Sequence, residues 1–310
     1  MRKRIKIVLF CLFAVLSVSS FGQQDPMFTL YMNDPTLINP AYAGTRGNMS
    51  LNGVFRKQWV GMQWQPTTTS ISANSPFLNN TIGVGFSFMN DQIGPMQQNG
   101  FYVDYAYHLL LPNKQNLSLG LKAGFTSLNL NLLDLTVIDW DDVVLMNDYS
   151  NAFMPNFGVG AYYYTDKFYA GFSVPLLFKN GLYKDKNRYE IVSREDRVYI
   201  LTAGGIFTLI EPILKLKPTV LFRAVSGSVP STELSATLIA YDRVWLGALY
   251  RIGDAVALHG RFQVTNQLQI GYSYDLTNSD LRPLNRGTHE VLINYVFTRR
   301  GERILSPRYF

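Results

Sequence analysis

Residues Ala255 to Asp275 read AVALHGRFQVTNQLQIGYSYD, and their period decides the fold. Val256, Leu258, Phe262 and Val264 fall on one side, while His259, Arg261, Gln263 and Thr265 fall on the other. After Asn266 the pattern resumes, with Leu268, Ile270, Tyr272 and Tyr274 alternating with Gln267, Gln269, Ser273 and Asp275. A period of two belongs to a β-strand, whose successive side chains leave opposite faces. Upstream, Leu216, Val220 and Phe222 are separated in the same way from Lys215, Lys217, Thr219 and Arg223.

Extended outward, this period marks segments at 49–59, 67–75, 81–89, 98–110, 116–128, 154–164, 167–175, 196–210, 214–225, 231–241, 243–252, 255–265, 267–276 and 288–298. Most are close to the ~9–11 residues that a tilted strand needs to cross a bilayer. Residues 67–75 are the weakest of them, being mostly hydroxyl side chains. The connections after even-numbered segments are short, and the long ones (129–153, 176–195, 277–287) follow odd-numbered segments. Outer-membrane barrels combine short periplasmic turns with longer outside loops. The expectation is an all-β transmembrane antiparallel β-barrel of about fourteen strands, in the outer membrane, with both termini periplasmic. A soluble sandwich or propeller would carry mainly charged outward faces, whereas here one face of nearly every strand is apolar.

Composition agrees. Charged residues are only 16% of the chain against a usual ~25%, while Tyr and Phe number 19 and 20. Arg2, Lys3, Arg4 and Lys6, the apolar run Ile7 to Val18, and Ser19 to Gly22 have the order of a signal peptide, placing its end at residue 22. Removing these four positive charges from the formal +6 leaves about +2, and the basic balance that would point to nucleic acid disappears. Cys11, the one cysteine, leaves with the signal, so neither a disulfide nor a thiolate metal site is expected. The organisation read from these features is signal 1–22, N-terminal extension 23–48, barrel 49–298 and basic tail 299–310.

Several clusters hold residues capable of chemistry. His259 shares the polar face with Arg261 and Gln263, near Ser and Asp residues of neighbouring strands, which raises a Ser/His hydrolase. No nucleophile motif accompanies His108, His259 or His289, and the chain reads as a non-enzyme without cofactor. Asp134, Asp139, Asp141, Asp142 and Asp148 around Trp140 offer carboxylates for calcium, but not at EF-hand spacing. Apolar residues within that same loop point to a packed lid or a partner surface. Gly83, Gly85, Gly158 and Gly160 sit two apart within strands and are read as relief of crowding on the lumen face, or as bends. Lys122, Arg223, Arg251 and Arg261 on that face are expected to pair with Asp104, Glu233, Asp275 and Glu290.

The extension contains Pro26, Pro35 and Pro40 and is expected to be extended or loop-like. It either emerges in the periplasm or folds into the lumen as a plug. Asn39, Pro40, Tyr42 and Gly44 are its candidate docking residues, with mere guidance of the chain into the first strand as the alternative. Trp140, Asp141 and Asp142 in the long loop, and Arg308 and Phe310 in the tail, complete the candidate docking set.

Gln23-Gln24-Asp25-Pro26-Met27-Phe28-Thr29-Leu30-Tyr31-Met32, followed by Ile38-Asn39-Pro40-Ala41-Tyr42-Ala43-Gly44, resembles the opening of the PorP/SprF family. Arg56-Lys57-Gln58-Trp59, Gly271-Tyr272-Ser273-Tyr274-Asp275, Gly287-Thr288-His289-Glu290 and Ser306-Pro307-Arg308-Tyr309-Phe310 extend the likeness to the other end of the chain. The resemblance implies an outer-membrane protein of the Bacteroidetes type IX secretion and gliding systems. It would work with that machinery, supporting export or surface attachment of an adhesin through the adhesin's C-terminal domain. A passive channel for small or hydrophobic solutes is the rival expectation.

Overall fold

The computed structural model describes residues 27–131, 149–183, 191–226 and 228–297. Seven strands come first: β1 (Met49–Lys57), β2 (Thr67–Phe77), β3 (Ile82–Ile93), β4 (Met96–Leu111), β5 (Gln115–Leu130), β6 (Tyr149–Tyr164) and β7 (Phe168–Val174). A small hairpin, β8 (Asn180–Tyr183) and β9 (Ile191–Glu195), stands apart as its own two-stranded sheet. The series then continues with β10 (Val198–Gly205), β11 (Phe207–Ile210), β12 (Leu214–Val225), β13 (Ser231–Ala240), β14 (Val244–Arg251), β15 (Ala255–Gln263), β16 (Leu268–Thr277) and β17 (Thr288–Phe297).

Each barrel strand pairs antiparallel with its neighbours in sequence, and β1 pairs with β17, so the sheet closes. Closure leaves no unpaired edge, the condition for a sheet in lipid. β10 and β11 are two parts of one barrel strand, since both pair with β12, and the barrel has fourteen strands. Residues 196–210 are expected as one strand, and Ile206 keeps the register between its two parts: following Gly205 opposite Phe168, its N–H donates to the carbonyl of Lys167 at 2.8 Å. The register against β12 shifts further on, between Thr208 and Ile210.

Alternation explains the two faces. In β1, Ser50, Asn52, Val54 and Arg56 are buried inward, whereas Met49, Leu51 and Phe55 are exposed outward. In β2, the weak segment, Thr68, Ser70 and Ser72 point into the polar interior, while Thr67, Thr69 and Ile71 lie on the outward parity. Outward aromatics stack across strands: Phe88, Phe101, Phe125 and Phe153 follow one another at centroid distances of 4.8, 5.4 and 4.7 Å. Such rows suit a lipid-facing band. The longest connections, 58–66, 131–148, 175–197 and 278–287, all leave the same end, with β8 and β9 built into the third. That end also carries a two-residue turn at Gly94–Pro95, so not every connection there is long.

Candidate functional site

The inner wall meets residues 28–45 of the N-terminal segment. The segment forms three short 3-10 turns, Tyr31–Asn33, Pro35–Leu37 and Pro40–Tyr42, within the extended or loop-like chain expected from its prolines. Asn39 starts the third turn, its Oδ1 accepting from the N–H of Ala41 at 3.0 Å, with Pro40 in the first position of the turn.

A row of small residues receives residues 38–44. Gly83, Ala106, Gly120, Gly160 and Ser173 are successive register partners across β3 to β7. The segment's backbone lies directly on this row. A Cβ at Gly83 would fall 1.9 Å from the carbonyl oxygen of Ala43, and one at Gly120 2.2 Å from the nitrogen of Ala41. At Gly160 it would meet Asn39 Oδ1 at 2.1 Å. Crowding was therefore the right reading of Gly83 and Gly160, and the crowding neighbour is the chain's own N-terminal segment. Hydrogen bonds fix the contact: Ser118 Oγ donates to Ala41 O and Ser173 Oγ to Ile38 O, both at 2.6 Å. Asn39 Nδ2 donates to Ala161 O at 3.1 Å. Tyr42 packs edge-to-face on Tyr162 at 5.4 Å, within an aromatic cluster with Tyr164 and Tyr169.

Buried charge holds the other part of the segment. Glu290 accepts the backbone N–H groups of Thr29 and Leu30, each at 2.8 Å. Arg56 bridges Glu290 at 2.8 Å and Asp275 at 3.0 Å, and Thr29 Oγ1 donates to Asp275 at 2.7 Å. Arg251 joins Glu233 at 2.9 Å and Asp254 at 3.2 Å. Lys122 lies 3.5 Å from Asp104 and donates to the carbonyls of Thr36 and Leu37. Pairing of the inward cations with inward acids is thus found for Lys122 and Arg251. Arg261 instead donates to Asn33 Oδ1 and stacks over Trp245 at 5.2 Å. Asp34 accepts from Ser72 and Thr36, and burial raises its carboxyl above the ordinary value despite those bonds.

The segment also brings apolar groups into the lumen. Phe28, Leu30, Tyr31 and Met32 pack against inward-facing Val54, Val198, Ile200, Leu221, Leu249 and Leu292. Reading the strands by polarity missed these inward positions; the only signal was an apolar residue at the polar parity, such as Leu221 between Thr219 and Arg223.

Of the residues singled out for docking, Asn39, Pro40 and Tyr42 are buried, and Gly44 (φ 75°) rests against Pro76 and Gly83. Trp140, Asp141 and Asp142, the acidic loop considered for calcium, and Arg308 and Phe310 lie outside the described residues. His259 is buried, with Thr237 Oγ1 3.5 Å from its Nε2. Ser273 stands opposite it in register, but its Oγ makes no hydrogen bond, so the two are not joined as a Ser/His pair.

Comparison with known proteins places this geometry. The model of the family described as type IX secretion system membrane protein PorP/SprF matches residues 20–295. No curated protein matches the sequence. Among solved structures, the Acinetobacter baumannii outer membrane protein Omp33 superposes with TM-score 0.51 at 9% identity, covering 81% of this chain and 98% of its own. The CymD monoaromatic hydrocarbon channel gives TM-score 0.50 at 10% identity, covering 90% of this chain and 95% of its own. At such identities the likeness is one of fold.

Proposed function

This chain belongs to the PorP/SprF family of type IX secretion system membrane proteins, and from that premise we propose that it is a non-enzymatic docking platform rather than a pore. Its barrel stands in the outer membrane and its involvement is with type IX secretion. In the proposed reading, segment 27–48 plugs the lumen, both chain termini lie on the periplasmic side, and the long connections face outward. An exported adhesin-type substrate, through its C-terminal domain, is held there for export and surface attachment, with other secretion components as neighbours.

The observation that carries this reading is the burial of residues 28–45 against the inner wall. A passive channel would keep that wall for solute; here its glycines, serines and buried charges are engaged by the chain itself. Support for outward docking comes from connection length and from Trp64, Phe178 and Leu284, which stand exposed on three long connections at one end. The connection between β5 and β6 starts and ends at that same end, and β17 ends at the opposite one. The channel reading draws on the fold shared with CymD, a monoaromatic hydrocarbon channel.

Affinity capture of the tagged protein from gently solubilised membranes, with mass spectrometry of its companions, tests the platform. Recovery of type IX components or a large exported protein is expected, and deletion of residues 132–148 should remove the exported protein selectively. A barrel that comes down alone would return the channel to first place.

A further inference from the structure

The lumen wall is polar along most strands, as barrel interiors usually are. One sector departs from this. Val198 and Ile200 of β10 and Leu221 of β12 point inward and are buried on neighbouring strands, with Phe28 and Tyr31 of the N-terminal segment against them. These groups do not close the space between them. A cleft of about 130 Å³ remains between the segment and the wall.

Two polar groups of its lining have capacity left, the Tyr31 hydroxyl and Glu233. Glu233 of β13 lines it opposite Leu221 and is only 2% exposed. Its Oε1 accepts from Arg251 Nε at 2.9 Å, but its Oε2 has no partner. A buried carboxylate oxygen left without a donor costs free energy that a bound donor recovers. Largely apolar walls with a few directed polar groups are the usual make-up of a small-molecule site.

We infer that this cleft binds a small apolar molecule bearing a hydroxyl or amide N–H. Its body lies against Phe28, Val198, Ile200 and Leu221, and its donor reaches Glu233 Oε2. A plain hydrocarbon leaves that oxygen unmet, and an anion is repelled by it. An ammonium is disfavoured because Arg251 already neutralises the carboxylate and Arg223 stands on the same wall. Such a ligand would contact segment and wall together. The site lies inside the barrel and is independent of which exported protein the loops engage.

The test uses full-length protein in detergent micelles, with 4-fluorophenol as probe and fluorobenzene as its donor-free counterpart, each followed by ¹⁹F NMR against empty micelles. Saturable binding of 4-fluorophenol is expected, weakened about tenfold by Glu233→Gln. Fluorobenzene should bind more weakly and ignore Glu233→Gln, while Leu221→Trp, which fills the cleft, should abolish both. Heat-dependent gel mobility establishes that each variant is a folded barrel, and Val198→Phe replaces Leu221→Trp if the latter does not fold. Non-saturable uptake that is equal in all variants means partition into detergent and overturns the site. Saturable binding of both probes that is untouched by Glu233→Gln overturns the assignment of Glu233.

Discussion

Arg56 of the first barrel strand and Glu290 of the last face each other in register across the closing seam, 2.8 Å apart and almost fully buried. The same carboxylate accepts the N–H groups of Thr29 and Leu30. One side chain thus ties together the closure of the sheet and the seating of the segment inside it. Asp275, bonded to both Arg56 and Thr29, repeats the arrangement one strand away.

Removing Arg56 should therefore cost much more than a surface charge. Arg56→Ala leaves Glu290 and Asp275 buried without their main cation, a defect worth about 3–5 kcal/mol. A lower denaturant midpoint for unfolding from micelles is expected. Arg56→Lys keeps the charge but not the two-pronged geometry, and should fall between wild type and Arg56→Ala. An unchanged midpoint in Arg56→Ala would show that the buried cluster contributes nothing.

Gly120 tests the seat of the segment separately from the charges. Valine there cannot coexist with Ala41 in its present place, because even a Cβ would lie 2.2 Å from that residue's nitrogen. Gly120→Val should leave the barrel folded and expose Arg46, which now donates to Tyr42 and to Asn33 O, to trypsin. Gly53→Ala, with open space at its Cβ position, should remain resistant. Equal resistance of the two variants would contradict the seating.

Asp34 makes the seating depend on pH, and the sign follows from its environment. Burial pushes its carboxyl up from 3.8, against the lowering effect of the Ser72 and Thr36 hydroxyls. A folded-state value above the unfolded one stabilises docking fully below the ordinary value and is lost as pH rises through the shifted one. Amide exchange in residues 30–37 should accordingly become easier as pH is raised from about 4 towards neutrality, after correction for intrinsic exchange. Asp34→Asn should flatten that trend. A trend of opposite sign, or the same slope in Asp34→Asn, would count against it.

Strand number, strand positions and the end from which long loops leave were legible because a period of two over ten residues is a strong local signal. His259 and Arg261 were correctly turned inward, and Leu258 and Phe262 outward, by parity alone. Parity cannot report what fills the space inside. Leu221 and Ile200 turn inward because Phe28 and Tyr31 are their partners there, and Gly120 is glycine because Ala41 lies on it. Asn39 and Pro40, candidate docking residues in the sequence, are buried and form a turn against the wall. Contacts between residues more than a hundred positions apart leave little trace in one sequence.

Single-barrel conductance in a planar bilayer is the most direct test of a lumen occupied by the chain's own segment. Wild-type protein should show no large steady conductance, while deletion of residues 28–44, with the barrel strands intact, should open one. A large steady conductance from the wild-type barrel, unchanged by the deletion, would contradict the plug and favour a channel.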